Sequence, residues 1–566
     1  MMRERGLHLD YTAIYRWLQQ SAPTSMISLP DCLQHPQLES FHRAMFTTGI
    51  DRKEKRKRAV VIFLLPSRTL IRNGSALRKG GRNDESYNFR GTVRPEGSTG
   101  GEVAAMTTFQ GQLYWRGDDG YEQERVGRVF NGRKPDRYPA AILKAAHEED
   151  VIAGVRLARE RGLKVSVRSG GHSWAAWSVR DDALLIDLAG MREISLDIGI
   201  STVRVSPAVT GGELNPFLAQ YGLMFPGGHC PTVGLGGFLL QGGMGWNCRG
   251  WGWACESIEA IDVVTADGTL VRADESQNAE LLWAARGSGP GFFGVVTRFH
   301  LKVRPHPKAL TQSTYIYPME LFDEVMRWAQ ETQSTLAPTI EVVILGITVP
   351  LPPEVEHAGG PVVLVHGLAF VDTHEEAVEA LAPFETCPVV DKALVRQVAA
   401  PTSFAAEYED QVDAYPVGYR YASDNIWTNA GTDDVVSALR DAFVTLPTEK
   451  SFSFWYGMAP LRQLPDMALS LQADTYFAIY VSWEDEADDE ACREWLAAQM
   501  RCMEPISEGL YLGDSDLATR PSKFLSGPHW ERLEELRVRY DPDGLFHSYL
   551  AAPSTPLNVN PWTEGA

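Results

Sequence analysis

The hydrophobic pattern becomes regular at Glu148. Three acids, Glu148, Glu149 and Asp150, precede Val151, Ile152, Val155 and Ala158, and Arg159 and Arg161 close the run before Gly162. The apolar spacing predicts a helix. Acids at its start and bases at its end complement the dipole, and Gly162 fits the C-cap. Residues 163–167 read as a strand feeding a Ser169-Gly170-Gly171 turn. Residues 258–265 and 269–273 flank Asp267-Gly268, which predicts a hairpin. Farther on, β-rich runs at 314–317, 342–349, 362–370, 452–456 and 476–481 lie among amphipathic helical patterns at 320–331, 375–382, 433–443 and 489–500. That order predicts a mostly antiparallel sheet backed by helices on one face, an α+β arrangement. Residues 530–550 hold one more helix and an Asp541-Pro542-Asp543-Gly544 turn.

Charge divides the chain. The net charge is −20, yet residues 1–105 carry +7 and the remainder −27. The acidic body repels polyanions, which excludes nucleic acid as a partner. In residues 1–105 a basic run at 52–58 precedes a short apolar run at 59–65, an order that imitates a secretion signal but lies internally. The composition break leads us to expect a disordered or mis-assigned extension over 1–105, with Met106 as the natural start. The chain contains no run of 18 apolar residues, so no membrane-spanning helix is expected. Seven scattered cysteines form no disulfide framework and suit a reducing compartment; a cytoplasmic location is expected from the absence of a convincing signal at Met1 or Met106.

Two glycine-rich segments carry the candidate chemistry. Arg168-Ser169-Gly170-Gly171-His172-Ser173 follows the strand at 163–167. His229-Cys230-Pro231-Thr232-Val233-Gly234-Leu235-Gly236-Gly237 runs on to Gly242, Gly243 and Gly245. Glycine lets backbone approach a phosphate or a ring closely. An imidazole and a thiolate aimed at one cofactor can both bond to it. Gly234-x-Gly236 and Gly243-x-Gly245 are followed by Leu239 and Cys248 where a dinucleotide fingerprint needs glycine, which disfavours nicotinamide on a Rossmann fold. Taken alone, His172 is equally read as a loop residue and Cys230 as a small buried hydrophobe. Zinc held by His229, Cys230, Cys248 and Cys255 is a further alternative, but the spacing is not CxxC, and no metal is expected.

Together the two segments resemble the berberine bridge enzyme-like family of FAD-linked oxidases. Further markers are Asn131, Arg137 with Tyr138-Pro139, Asp150-Val151, and the stretches 282–287 and 293–297. The resemblance implies a two-part FAD-binding domain of the PCMH (vanillyl-alcohol oxidase) type at 106–305 and 505–566, with a substrate domain inserted at 306–504. It implies FAD joined to His172 at the 8-alpha methyl group and to Cys230 at ring carbon six. Arg168, Ser169, Gly170, Gly171, Ser173, Thr232, Val233, Gly234, Gly236, Gly237, Gly242, Gly243, Gly245 and Val296 are expected to contact the cofactor. Val233 falls on an oxygen-gatekeeper position, where Val accompanies oxidase behaviour.

The family often carries a Tyr-x-Asn-Tyr motif whose last tyrosine is the base. Here the stretch is Tyr511-Leu512-Gly513-Asp514, so Asp514 falls on the base position with Tyr511 as its neighbour, and a turn aspartate with no catalytic role is the equal alternative. Tyr419, Arg420, Tyr421 and Ser423 lie where members line the substrate pocket, and Ala422 stands where they usually have Lys. The expected function is hydride removal from a small molecule, a sugar, alcohol or secondary metabolite, with dioxygen reduced to hydrogen peroxide. A dehydrogenase using another acceptor and a non-catalytic flavin- or metal-binding protein are the alternatives.

Overall fold

A computed structural model describes residues 108–550 except 354 and 358. The expectations for 1–105 and Met106 lie outside the described residues, as does the end of the chain beyond 550.

The first sheet contains β1 (Gln112–Trp115), β2 (Ala141–Lys144), β3 (Lys164–Arg168) and β4 (Ala183–Asp187), in the order β1-β2-β4-β3. Strands β2 and β3 run parallel to β4, and the helix Glu148–Arg161 makes the crossover between β2 and β3. That helix ends as its sequence predicts, on Gly162 in the left-handed region at φ 64°. All five residues of β4 are buried, as a parallel strand covered on both faces requires.

The second sheet and a short ribbon are formed by β5 (Ile194–Asp197), β6 (Thr202–Val205), β7 (Leu223–Met224), β8 (Ile258–Val264), β9 (Leu270–Asp274), β10 (Val295–Lys302) and β11 (Arg304–Pro305). The sheet is antiparallel in the order β5-β6-β10-β8-β9, and β7 pairs with β11. The hairpin β8–β9 turns at Gly268, where φ is 75°.

The third sheet is the largest: β12 (Ala309–Pro318), β13 (Ile340–Ile347), β14 (Val362–Val371), β15 (Val395–Pro401), β16 (Arg420–Thr428), β17 (Phe452–Gly457) and β18 (Thr475–Trp483). Its order is β15-β12-β14-β13-β17-β18-β16, antiparallel throughout. The period of two gives its faces different work. Val342 and Ile344 of β13 join a core with Phe322 and Met326 of helix Phe322–Thr332 and Leu439 of helix Thr432–Val444. Glu341, Val343 and Leu345 point the other way and line a cavity. The sheet is thus backed by helices on one face and faces the cavity with the other, an α+β architecture.

Two strands depart from the sequence pattern. β16 is buried along nearly its whole length although its centre reads Ser423-Asp424-Asn425. Arg520 makes this possible, donating from Nε to Asp424 Oδ2 at 2.6 Å and from Nη2 to Oδ1 at 2.8 Å. β15 alternates too weakly to be seen because it is the sheet edge and largely exposed. The chain after helix Gly527–Tyr540 returns to the first sheet. Asp541 accepts the amides of Leu545 and Phe546, and Val165 of β3 bonds Leu545 O and His547 N. Among the described residues no helix is long and apolar enough to cross a membrane.

Candidate active site

The loop after β3 is anchored at its first residue. Arg168 is 1% exposed and donates from Nε and Nη2 to Asp187 Oδ2 at 2.9 and 2.7 Å. Its remaining amino group reaches the carbonyl of Arg125. The guanidinium therefore fastens β3 to β4, and Arg168 also contributes to the wall of the main cavity.

Beyond Arg168 the two glycine-rich loops press together. A Cβ on Gly170 would stand 2.7 Å from Gly234 N, and one on Gly236 2.7 Å from Ser169 Oγ. Ser169 Oγ accepts the amide of Gly237 at 3.3 Å. Gly171 has φ 80°, and a Cβ there would lie 1.8 Å from Arg128 O. Only glycine permits this approach.

The zipped loops bring the two nucleophiles to one place. Thr232 Oγ1 lies 2.9 Å from His172 Nε2 and 3.3 Å from Cys230 Sγ. The His172 ring stacks on Phe130, centroids 4.3 Å apart. Burial pulls the His172 imidazole down to about 4, so the ring is neutral and one of its nitrogens keeps a lone pair. Cys230 is half-buried at the cavity wall. Cys248 and Cys255 are fully enclosed, and burial pushes both thiols up, which suits structural cysteines. Among the described residues no cluster of three His, Cys, Asp or Glu could hold a metal ion.

The loops form one wall of a cavity of about 710 Å³, and the third sheet forms another. Ser173, Val233, Val296, Tyr511 and Asp514 also line it. Asp514 accepts from Tyr476 Oη at 2.8 Å and from Trp174 Nε1 at 3.2 Å. Burial pushes its carboxyl up, opposed by hydrogen bonds from Tyr476, Trp174 and Tyr480. The hydroxyls that reach Asp514 thus come from β18. Tyr511 Oη instead accepts the amide of Met244 at 3.2 Å.

Gly242, Gly243 and Gly245 are not on the cavity wall. Cβ atoms there would meet Trp253 and Leu469, Ala254 and Phe238, or the carbonyls of Pro226 and Gly227. Their place is in the packing of the turn.

The comparisons with known proteins bear on this geometry. Residues 139–274 match the family model of an FAD binding domain. Over 458 residues the chain is 36% identical to the FAD-linked oxidoreductase janO of Penicillium janthinellum, covering 80% of this chain and 100% of the relative. This chain belongs to the FAD-linked oxidoreductase family. Its FAD-binding fold is shared with 6-hydroxy-D-nicotine oxidase from Arthrobacter nicotinovorans, at TM-score 0.68 and 22% identity over 80% of this chain and 100% of that one. It is shared also with berberine bridge enzyme from Eschscholzia californica, at TM-score 0.66 and 19% identity over 78% and 97% of the two chains.

Several atoms of this oxidoreductase fit FAD. Ser166 Oγ of β3 and His547 Nε2 of the C-terminal segment are buried on the cavity wall and have no protein partner among the described residues. The backbone amides of Gly170, Gly171, His172 and Ser173 likewise donate to no protein acceptor among the described residues. Unpaired donors in a glycine turn are the usual receptor for a phosphate.

The pocket expectation for the 419–423 segment is corrected. Arg420 donates to both carboxylate oxygens of Asp489 at 2.5 and 2.6 Å, and Tyr421 is buried with its hydroxyl on Pro416 O. Tyr419 donates to Glu484, and Ser423 to Asp514 O. β16 lies at the sheet edge beside β18, and these side chains make structural contacts instead of lining the main cavity.

Sequence reasoning missed a second polar station. His229 Nε2 lies 2.8 Å from Glu341 Oε1, and Glu341 also accepts the Asn247 amide at 2.7 Å and Tyr456 Oη at 3.2 Å. Burial pushes the Glu341 carboxyl up, but His229 and the Asn247 amide outweigh it and hold it below the ordinary range. The available signal was a single Glu in an otherwise apolar strand, Ile340–Ile347.

Proposed function

We propose that this FAD-linked oxidoreductase is an oxidase with FAD attached to both His172 and Cys230, which takes hydride from a small-molecule substrate and reduces dioxygen to hydrogen peroxide. One observation carries the reading. Two nucleophiles from separate loops meet across Thr232 on the wall of the cavity that also holds a carboxylate among tyrosine hydroxyls.

FAD, when bound, accepts the hydride and passes the electrons on. The residues of the chain do the rest. The amides of 170–173, Ser166 Oγ and His547 Nε2 would hold the cofactor. His172 and Cys230 fix the position of its ring. Asp514 takes the proton that leaves the substrate as hydride departs, a role suited to a carboxyl whose proton affinity burial has raised. Tyr476 and Trp174 keep its two oxygens oriented. Val233, on the cavity wall beside Cys230, leaves room for dioxygen.

The substrate fits among Tyr415, Tyr480, Phe452 and Phe454, with Gln312 and His366 offering hydrogen bonds. That lining suits an alcohol, a sugar or an apolar secondary metabolite whose reacting C–H is next to oxygen or nitrogen. The 6-hydroxy-D-nicotine oxidase that shares the fold is named for chemistry of this class. The experiment is an anaerobic screen of such compounds for bleaching of the flavin, followed by admission of air. Bleaching, rapid return of colour and stoichiometric hydrogen peroxide are expected. Colour that returns only with an artificial acceptor would make the protein a dehydrogenase.

A further inference from the structure

Thr232 stands between two nucleophiles and has little structural work of its own. It is exposed, between two residues of the cavity wall, His172 and Cys230. The backbone around it is held by other bonds, from Gly212 N to Pro231 O at 2.8 Å and from Val233 N to Cys230 O at 3.4 Å. Its hydroxyl is directed instead to His172 Nε2 and Cys230 Sγ. A hydroxyl donates once and accepts twice, so it can take a proton from one neighbour while giving its own to the other.

We propose that Thr232 is a positioning and proton-relay residue that makes attachment of FAD at Cys230 depend on His172. The proposal rests on the covalent-FAD reading above. While His172 is free, its Nε2–H donates to Thr232 and leaves the Nδ1 lone pair to form the first bond. That bond forms as a C–H of the 8-alpha methyl group breaks; the methyl proton and the Nε2 proton leave with two electrons to dioxygen as hydrogen peroxide, so Nε2 becomes an acceptor and the relay runs the other way. The Cys230 S–H bond then breaks as sulfur bonds to ring carbon six. The thiol proton passes to Thr232 Oγ1, and the Thr232 proton passes to His172 Nε2. The electron pair enters the flavin ring. Dioxygen removes two electrons from the ring, the ring-carbon hydrogen leaves as a proton, and that proton and the relayed one end in hydrogen peroxide. The net change is thiol plus ring C–H plus dioxygen to thioether plus hydrogen peroxide. Burial keeps the imidazole neutral, which leaves a lone pair for the first bond; because the same burial disfavours the protonated ring, His172 holds the relayed proton only until it leaves with the electrons to dioxygen. Without the relay no hydroxyl stands beside the thiol to take its proton as sulfur attacks, and only the deprotonated sulfur is a strong nucleophile.

The test is to purify the wild-type protein, Thr232→Val, Thr232→Ser and His172→Ala, denature and digest each, and quantify flavin on each peptide by mass and absorbance. The wild type and Thr232→Ser carry both links. Thr232→Val keeps flavin on the His172 peptide, with the Cys230 link reduced by about tenfold or more. Incubating the intact Thr232→Val protein in air at about pH 9.5, above the ordinary thiol range, restores the Cys230 link. His172→Ala loses the Cys230 link as well. Wild-type levels of both links in Thr232→Val, a Cys230 deficit in Thr232→Ser, or a deficit that high pH does not repair would overturn the relay. A wild-type protein with no covalent flavin would remove the reading beneath it, and that failure shows in the wild type and not in the variants.

Discussion

Gly170 and Gly234 meet backbone against backbone: a Cβ on Gly234 would lie 2.8 Å from Gly170 Cα, and one on Gly170 2.7 Å from Gly234 N. The contact places His172, two residues after Gly170, beside Thr232, two residues before Gly234. Two loops about sixty residues apart in sequence thereby act as one wall. Gly170→Ala should force them apart. Overpacking of this kind costs about 1–3 kcal/mol, so we expect a lower melting temperature together with a lower ratio of flavin to protein absorbance. Unchanged flavin content would show that the approach is dispensable.

Asp514 should set the pH dependence of flavin reduction. Burial raises its carboxyl, and only the ionised form accepts a proton. The rate of anaerobic bleaching should therefore rise with pH, with a midpoint above the ordinary carboxylate value of about 3.9. Asp514→Asn should remove that limb and cut the rate by about 100-fold or more while FAD stays bound. A fully active Asp514→Asn protein would dismiss Asp514 as the base.

Tyr476→Phe gives a second view of the same carboxylate. The lost hydroxyl hydrogen bond favoured the charged form. The midpoint of the pH–rate curve should move upward in the variant, with the maximal rate at high pH largely kept. A downward shift would mean that Tyr476 favours the neutral acid.

Val233→Leu separates the two half-reactions. Added bulk on the cavity wall should slow reoxidation by dioxygen by about tenfold or more, equivalent to about 1.4 kcal/mol in barrier, and leave bleaching by substrate near the wild-type rate. Stopped-flow mixing of reduced protein with air-saturated buffer checks this. Equal reoxidation rates would assign Val233 to loop packing.

Much of the architecture was legible in the sequence, and the exceptions have physical causes. The helix Glu148–Arg161 and the hairpin at Gly268 are local, and each carries its own cap or turn residue. β16 was hidden because its buried centre is polar, satisfied by Arg520, which lies 96 residues from Asp424 in sequence. The glycine loops that carry His172 and Cys230 were visible in the sequence, and the structure brings the two side chains to one cavity wall. The partners of Asp514 were not, because Tyr476 and Tyr480 reach it through the pleat of β18, which no local spacing reveals. The ion pair of Arg168 with Asp187 was hidden for a related reason: Asp187 lies on the neighbouring strand β4, and no local spacing reveals the pairing.

The account depends most on where the flavin is attached. The direct measurement is to denature the purified yellow protein in acid, digest it, and locate the flavin by peptide mass and absorbance. Flavin on both the His172 and the Cys230 peptides is the predicted result. Flavin that washes away entirely from the denatured chain would contradict the account.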